Sequence, residues 1–466
     1  MLRHHTGRRR HGANYSNPAP MYSPPPVNHH EYNHLNMADI HSWHGSETSS
    51  SIDVPHHMET RKRRFNQPFL YAEKRQCFDS APPPYDMSPA QVPVSPRRHF
   101  PEVGEPMRAA EHGDPRFPMQ LRPAVPPPSD SHSWLQSCST DRLSSEMLEL
   151  FEACQQQSSD LVWKEVCRVQ LQEDIRRLYP VARLYLTGSS MNGLGCRSSD
   201  ADLCLVIEAR KKHDVVAALS ELQKLFRTLS YIVKATVIRA KVPILKFKER
   251  SSGLEFDLNI NNTVGIRNTF LLRSYAFADL RVRPLILVIK KWARHMKIND
   301  ASQGTLSSYS LVLMTLHYLQ TLKEPVLPCL QKDFPTCFDP SLLVDQIPEE
   351  AKRVPPFASK NPSSLGKLFI GFLRYYSTEF RWDQQVISVR LAKAFPTTSS
   401  TVWKNKFICV EEPFERRNVA QAVHKKIKFD LITAQFEKSY RIVQSHGNLN
   451  SILPLRDIIN KEVSHS

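Results

Sequence analysis

The sequence predicts an α+β protein: a small mixed-sheet module, a mainly helical region after it, and a disordered stretch before it. Three observations carry this. Residues 181–260 alternate short apolar strands with one amphipathic helix, residues 268 to about 440 read as mostly helical, and 21 of the 35 Pro lie within residues 1–128. At 466 residues the chain has room for two or three domains.

The N-terminal stretch also holds 13 of the 19 His, within residues 1–132, and runs such as Pro24-Pro25-Pro26 and Pro126-Pro127-Pro128. It cannot bury enough apolar surface to offset its ordering entropy, so residues 1–135 are expected to be disordered. Its His residues lack regular spacing, which favours solvated low complexity over metal binding. Arg61-Lys62-Arg63-Arg64 reads as a nuclear address, an RNA-contacting patch or a solvated charge run.

Lys and Arg number 62 against 46 Asp and Glu, a formal charge of +16 that points toward anionic partners. Residues 1–135 hold 15 Lys and Arg against 13 Asp and Glu, so +14 of the surplus belongs to residues 136–466. The longest apolar runs, Pro284–Ile289 and Leu311–Leu316, fall far short of the ~20 residues a membrane-spanning helix needs. Met1–Arg10 has no apolar core of a secretory signal. Nine Cys with no CxxC pair argue against a disulfide framework or zinc ribbon, and imply a reducing cytosolic or nuclear setting.

Helical periodicity starts at Leu143–Cys154 and returns where Leu171, Ile175 and Leu178 keep i, i+4, i+7 spacing, until Pro180. These helices, residues 136–180, are expected to pack with the helical region. Strands follow at Val181–Thr187 and Asp202–Ile207, separated by a Gly/Ser/Asn loop at Gly188–Ser199. A helix presenting Leu219, Leu222, Phe226 and Leu229 on one face leads to strands at Ile232–Val237, Val242–Phe247 and Leu254–Ile260. The last two are joined by a hairpin-length loop, Glu249–Gly253. Residues 181–267 thus form one module and 268–445 a helical domain interrupted by a Pro-containing loop at 325–362. Residues 446–466 read as a tail.

The chemistry concentrates in the strand module. Asp200 and Asp202 are two apart where a strand begins, so both project to one side and can hold hard divalent cations. In Leu254–Ile260, Phe256, Leu258 and Ile260 supply an apolar face and Asp257 points the other way. If the two strands are neighbours, three carboxylates converge where two Mg²⁺ ions could bridge them and a nucleoside triphosphate. Gly188 and Ser189, opening a loop at a strand end, can bring N–H groups and a hydroxyl to phosphate oxygens. Asn268-Thr269 stands eleven residues beyond Asp257. Lys290 and Arg294, at i, i+4 on one helix, put two cations on one face suited to a triphosphate. Ser308 can reach a phosphate, and Tyr309 can stack on a base or serve as plain core.

A strand, a Gly-Ser loop, a DxD on the next strand and a later strand Asp resemble the DNA polymerase β-like nucleotidyltransferase superfamily. Leu186 to about Leu316, with Leu365–Phe372 and Glu412-Pro413-Phe414-Glu415-Arg416-Arg417-Asn418-Val419, resembles the cytoplasmic RNA terminal nucleotidyltransferases that carry a poly(A)-polymerase-associated segment, here about 364–420. Within them it is most similar to the cytoplasmic poly(A) RNA polymerases of the germline-development type. The resemblance covers roughly 140–440. It implies a catalytic domain at 181–267 in which Asp200, Asp202 and Asp257 bind Mg²⁺ or Mn²⁺, with Asp257 accepting the proton of the attacking hydroxyl. It further implies that Ser189, Lys290 and Ser308 contact the triphosphate of ATP, Asn268 the ribose and Tyr309 the base. Arg294 stands where relatives often have Lys, keeping charge but changing geometry.

In uridine-adding relatives a His precedes the Asn of this segment and reads the uracil edge; here only Arg416 and Arg417 separate Glu415 from Asn418. ATP is therefore expected over UTP. The expected reaction is AMP addition to RNA 3′ ends without a template, in cytoplasmic mRNA polyadenylation or small-RNA monoadenylation. A terminal uridylyltransferase is the near alternative, and an inactive RNA- or protein-binding scaffold a distant one. No RRM, KH or zinc-binding pattern is present, so RNA should be held by basic surface contacts with little sequence information. Targeting is expected from RNA-binding partners, by family likeness cytoplasmic-polyadenylation-element-binding or KH-domain proteins, with no membrane partner.

Overall fold

The computed structural model describes residues 141–207 and 214–464. The expected disorder of residues 1–135 and the Arg61–Arg64 cluster lie outside them. Strands β1 (Arg183–Thr187), β2 (Ala201–Val206), β3 (Ile232–Ile238), β4 (Ile244–Glu249) and β5 (Glu255–Ile260) form one sheet in the order β1-β2-β5-β4-β3. Only β2 and β5 run parallel; every other neighbour pair is antiparallel, so the sheet is mixed. The α+β class read from the sequence is the class observed.

Alternation sets the sheet's two faces. Leu203, Leu205, Leu245, Phe247, Phe256 and Leu258 are buried on one side, against helices α2 (Ser158–Arg176) and α3 (Val215–Thr228). There Phe247 stacks on Phe256 at 5.2 Å between centroids and meets Phe226 of α3 edge-on at 5.0 Å. On the other side, Cys204 of β2 meets Ile266 and Phe270 of α4 (Thr263–Ala278).

A second core unites α1 (Arg142–Cys154), α4, α5 (Val282–His295), α6 (Ser308–Thr321), α7 (Leu365–Arg374) and α8 (Lys426–His446). Trp292 of α5 is buried against Phe436 of α8, its indole N–H donating to Ser439 Oγ at 2.9 Å. Pro284 sits in the first turn of α5, where its missing N–H is harmless.

Four sequence expectations differ from the fold. Of the two helices at 136–180, α1 joins the helical core but α2 packs on the sheet through Cys167, Leu171 and Ile175. Leu178 lies beyond the end of α2 and is exposed, because i→i+3 bonds tighten the last turn ahead of Tyr179, which Pro180 keeps out of the helical region. Residues after 445 are no loose tail: α9 (Leu455–Ser464) follows a turn whose Leu449, Ile452 and Leu453 are buried in the helical core, and Arg456 pairs with Glu149 of α1. Residues 380–425, expected as part of a mainly helical stretch, hold two short strands, 3-10 turns and loops instead.

Candidate active site

Because β2 and β5 are parallel neighbours, Asp202 pairs with Asp257 in register. Their neighbours Leu203 and Leu258 go into the sheet core, so both carboxylates stand on the opposite face. Asp200 lies two residues before Asp202 and is exposed. On the far side of β5, β4 sets Lys246 opposite Asp257. Its Nζ lies 3.1 Å from Asp257 Oδ1, 3.5 Å from Asp200 Oδ2 and 2.8 Å from Glu255 Oε2. One ammonium thus ties together carboxylates from two strands.

Gly188 ends β1 with φ of +65°, and a Cβ there would lie 2.1 Å from Asp202 Oδ2. Only glycine lets the backbone approach that carboxylate. The Gly188 N–H donates to Thr269 Oγ1 at 2.9 Å, and Thr269 donates in turn to Gly265 O at 2.7 Å, which pins the loop to α4.

The electrostatics follow from crowding. Burial, then Asp257 and Asp200, push the Asp202 carboxyl up to about 7. Burial also raises Asp257, against the pull of Lys246. Lys246 is held above its ordinary value by Glu255, Asp257 and Asp200 in spite of burial. Among the described residues no three His, Cys, Asp or Glu side chains are already closed into a cage for an ion. The donor set is nonetheless hard carboxylate oxygen with a surplus of negative charge, which fits Mg²⁺ or Mn²⁺.

A second group forms one residue earlier on α4. Asn268 Nδ2 donates to Glu412 Oε1 at 2.8 Å, and Tyr309 Oη donates to the same oxygen at 3.3 Å. Glu412 is 1% exposed, and its other oxygen accepts from the N–H groups of Phe414 and Glu415. Asn268 Oδ1 is buried with no protein partner, an acceptor left over for a ligand. Consecutive residues of α4 therefore serve both halves of the site: Asn268 the Glu412 loop, Thr269 the Gly188 loop.

The remaining sequence-named residues are placed less centrally. Lys290 Nζ donates to Leu194 O at 2.8 Å, Ser308 Oγ donates to Asn299 Oδ1 at 3.1 Å, and Arg294 is exposed one turn beyond Lys290. Ser189 opens the short helical turn Ser189–Asn192. Asn418 is spent on structure, its Oδ1 accepting from Val410 and Ala420 and its Nδ2 donating to Ile408 O. Sequence reading missed Lys246, Glu255 and Glu412. Lys246 shares the alternation of its strand with the carboxylate face, but only the β4–β5 register reveals it; Glu412 could have been suspected from two adjacent acids entering a Pro turn.

Comparisons with known proteins give the family. Residues 143–277 match the family model "Poly(A) RNA polymerase, mitochondrial-like, central palm domain", and residues 364–418 match "Cid1 family poly A polymerase". The chain is 53% identical to Poly(A) RNA polymerase GLD2 of Danio rerio, over 84% of this chain and 81% of the relative. It is 47% identical to Poly(A) RNA polymerase GLD2-B of Xenopus laevis, over 94% and 86%. Among solved structures, that of a GLD-2/RNP-8 complex is similar with a TM-score of 0.58 and 31% identity, over 70% of this chain and 98% of that one. The Cid1 poly(U) polymerase with Mg and 3′-dATP is similar with a TM-score of 0.56 and 27% identity, over 71% and 99%.

Proposed function

The chain belongs to the poly(A) RNA polymerase GLD2 family of polynucleotide adenylyltransferases, and from that premise we propose that it extends RNA 3′ ends with AMP from ATP at the Asp200, Asp202 and Asp257 face of its sheet. The observation that carries this reading is the in-register pairing of Asp202 with Asp257, with Asp200 joined to them through Lys246.

Asp200, Asp202 and Asp257 would hold the divalent ions, which when bound neutralise charge on the triphosphate and lower the pKa of an attacking hydroxyl. The rest is positioning and electrostatics supplied by the chain. Asp257, made more basic by burial, takes the proton of the RNA 3′-hydroxyl at its carboxylate. The Gly188–Ser189 backbone faces the phosphates. Asn268 Oδ1, buried and free, accepts from a ribose hydroxyl, while Tyr309 is held by Glu412 beside the base. Lys246 offsets the mutual repulsion of the carboxylates.

ATP preference rests on the loop after Glu412. Asn418 is buried and held to the loop backbone by three hydrogen bonds, and Arg416 and Arg417 occupy the preceding positions, Arg417 paired with Glu415. Similarity to the Cid1 poly(U) polymerase keeps uridine addition as the second reading. Incubating the full chain with an RNA oligonucleotide, Mg²⁺ and either ATP or UTP separates them. The expected result is a ladder with ATP and a kcat/KM for UTP lower by roughly a hundredfold. Equal or better use of UTP contradicts the preference, and extension by neither contradicts the reaction.

Recruitment by an RNA-binding protein extends the same reading. Its support is the GLD-2/RNP-8 complex among the similar structures and the weak sequence content of basic-surface contacts. A cytoplasmic site of action, with the nucleus as the alternative, is also proposed; the seven free cysteines among the described residues fit either reducing compartment, and fractionation of cells producing the chain tests it.

A further inference from the structure

Residues 188–197 run through a ring of cations. Arg273 Nη1 donates to Met191 O at 2.7 Å, Arg283 Nε to Gly193 O at 2.9 Å and Lys290 Nζ to Leu194 O at 2.8 Å. The fourth, Lys164 of α2, donates to Ser190 Oγ at 3.1 Å. Among the described residues none of the four forms an ion pair, although such pairs are common elsewhere, as between Lys246 and Asp257 or Lys291 and Glu462.

Lys164 is the extreme member. Its side chain is 0% exposed, and among the described residues its only other hydrogen bond is to Gln156 Oε1 at 2.8 Å. Gln156 closes a triangle by donating through Nε2 to Ser190 O at 2.9 Å, and its backbone N–H reaches Gly195 O at 3.1 Å. The triangle is tightly packed: a Cβ on Gly195 would lie 2.9 Å from Ser189 O and 3.3 Å from Gln156 Oε1. Burying an ammonium without a counter-ion opposes folding, and a methionine of similar length would fill the same space without that penalty. Packing alone therefore gives no reason for a lysine here; charge does, from the carboxylates whose field reaches it and from an anion on the other side of the turn. Burial lowers the Lys164 ammonium from its ordinary value, while Asp160, Asp202 and Asp200 act to raise it, so its charge is felt across the loop.

We propose that Lys164 is a positioning residue for nucleotide binding: from behind the loop its ammonium fixes Ser190, and with it the Gly188–Ser189 backbone, and sets positive charge beneath the triphosphate. This rests on the nucleotide reading given above. Lys164 touches neither substrate nor ion; it acts through Ser190 and through the field.

The test compares full-length wild type with Lys164→Met for Mg·ATP affinity at equilibrium, for KM and kcat, and for thermal midpoint. Expected are a rise of roughly tenfold in both Kd and KM for ATP, kcat and the KM for RNA changed by less than about threefold, and a thermal midpoint equal to or above wild type. Unchanged ATP affinity overturns the proposal, as does a lowered midpoint that accounts for the loss. Should Lys164→Met not fold, Ser190→Ala takes its place: weaker ATP binding in a stable protein supports the proposal, and unchanged binding overturns it. If wild type extends no RNA yet binds ATP more tightly than Lys164→Met, the adenylyltransferase reading fails and this one stands. If wild type extends RNA and both proteins bind ATP equally, the reverse holds.

Discussion

Gly188 and Asp202 show how closely the residue scale is set. Gly188→Ala combines φ of +65° with a 2.1 Å overlap on the Asp202 carboxylate. It should lose about 1–3 kcal/mol of stability and most activity, read by denaturant unfolding and RNA extension. Asp202 has a pH signature. Its folded pKa of about 7 lies above the ordinary 3.8, so the folded state holds this proton more tightly than the unfolded chain does. The stability this gives is fully present below pH 4 and is lost as pH rises through 7. In metal-free protein, Asp202→Asn should therefore raise the thermal midpoint more at pH 8 than at pH 5, and Mg²⁺ should stabilise wild type more at pH 8. A midpoint difference independent of pH contradicts the assignment. Both aspartates were legible in the sequence because a DxD entering a strand needs only local geometry. Lys246 was not, because its role exists only once β4 lies beside β5.

At the scale of elements, α4 ties the sheet to the helical region through adjacent residues, and Glu412 is the knot on the helical side. Glu412→Ala strands Asn268, Tyr309 and the N–H groups of Phe414 and Glu415. It should lose about 2–4 kcal/mol and raise the KM for ATP, while Glu412→Gln keeps part of both. Packing between α6 and the loop at Ser388 is sensitive to acid. His317 is fully buried between Ser388 O and Tyr375 Oη, and burial lowers it to about 4. The unfolded chain binds this proton below about pH 6.5 and the fold does not, so the contribution is present above that pH and fades as pH falls toward 4. His317→Gln should flatten the decline in stability between pH 6.5 and 4, measured by urea unfolding at several pH values. Elements themselves were legible wherever alternation or i, i+4 spacing was strong, as in β5 and α3. The C-terminal helix α9 was missed although Leu455, Ile458 and Ile459 keep i, i+3, i+4 spacing, because it is only ten residues long and its seat exists only in the fold: these side chains pack on the helical core, and Arg456 pairs with Glu149 of a helix 307 residues away.

Over the whole molecule, the sheet supplies carboxylates, the helical region supplies Asn268, Tyr309 and Glu412, and residues 136–466 carry a positive surplus of +14, which on the proposed reading attracts RNA. Binding carried by that surplus should fall by about tenfold or more between 50 and 200 mM salt, with little difference between RNA sequences of equal length. Filter binding across a salt series checks this, and strong sequence selectivity by the isolated chain contradicts it. The α+β class and the likeness to terminal nucleotidyltransferases were readable because they depend on local pattern and spacing; that β2 and β5 are neighbours stood only as a condition, since it exists only in the fold. The cation ring around residues 188–197 was not, since Lys164, Arg273, Arg283 and Lys290 come from three helices that only folding brings together. Activity on ATP, as proposed, requires the acidic side chains of neighbouring strands to act as one unit. Its most direct measurement is single-turnover extension of a labelled RNA by folded Asp202→Asn, Asp257→Asn and the double variant. Each single variant should lose at least about a thousandfold in rate, and the double should be scarcely worse than either; rates within tenfold of wild type, or losses that multiply, would contradict it.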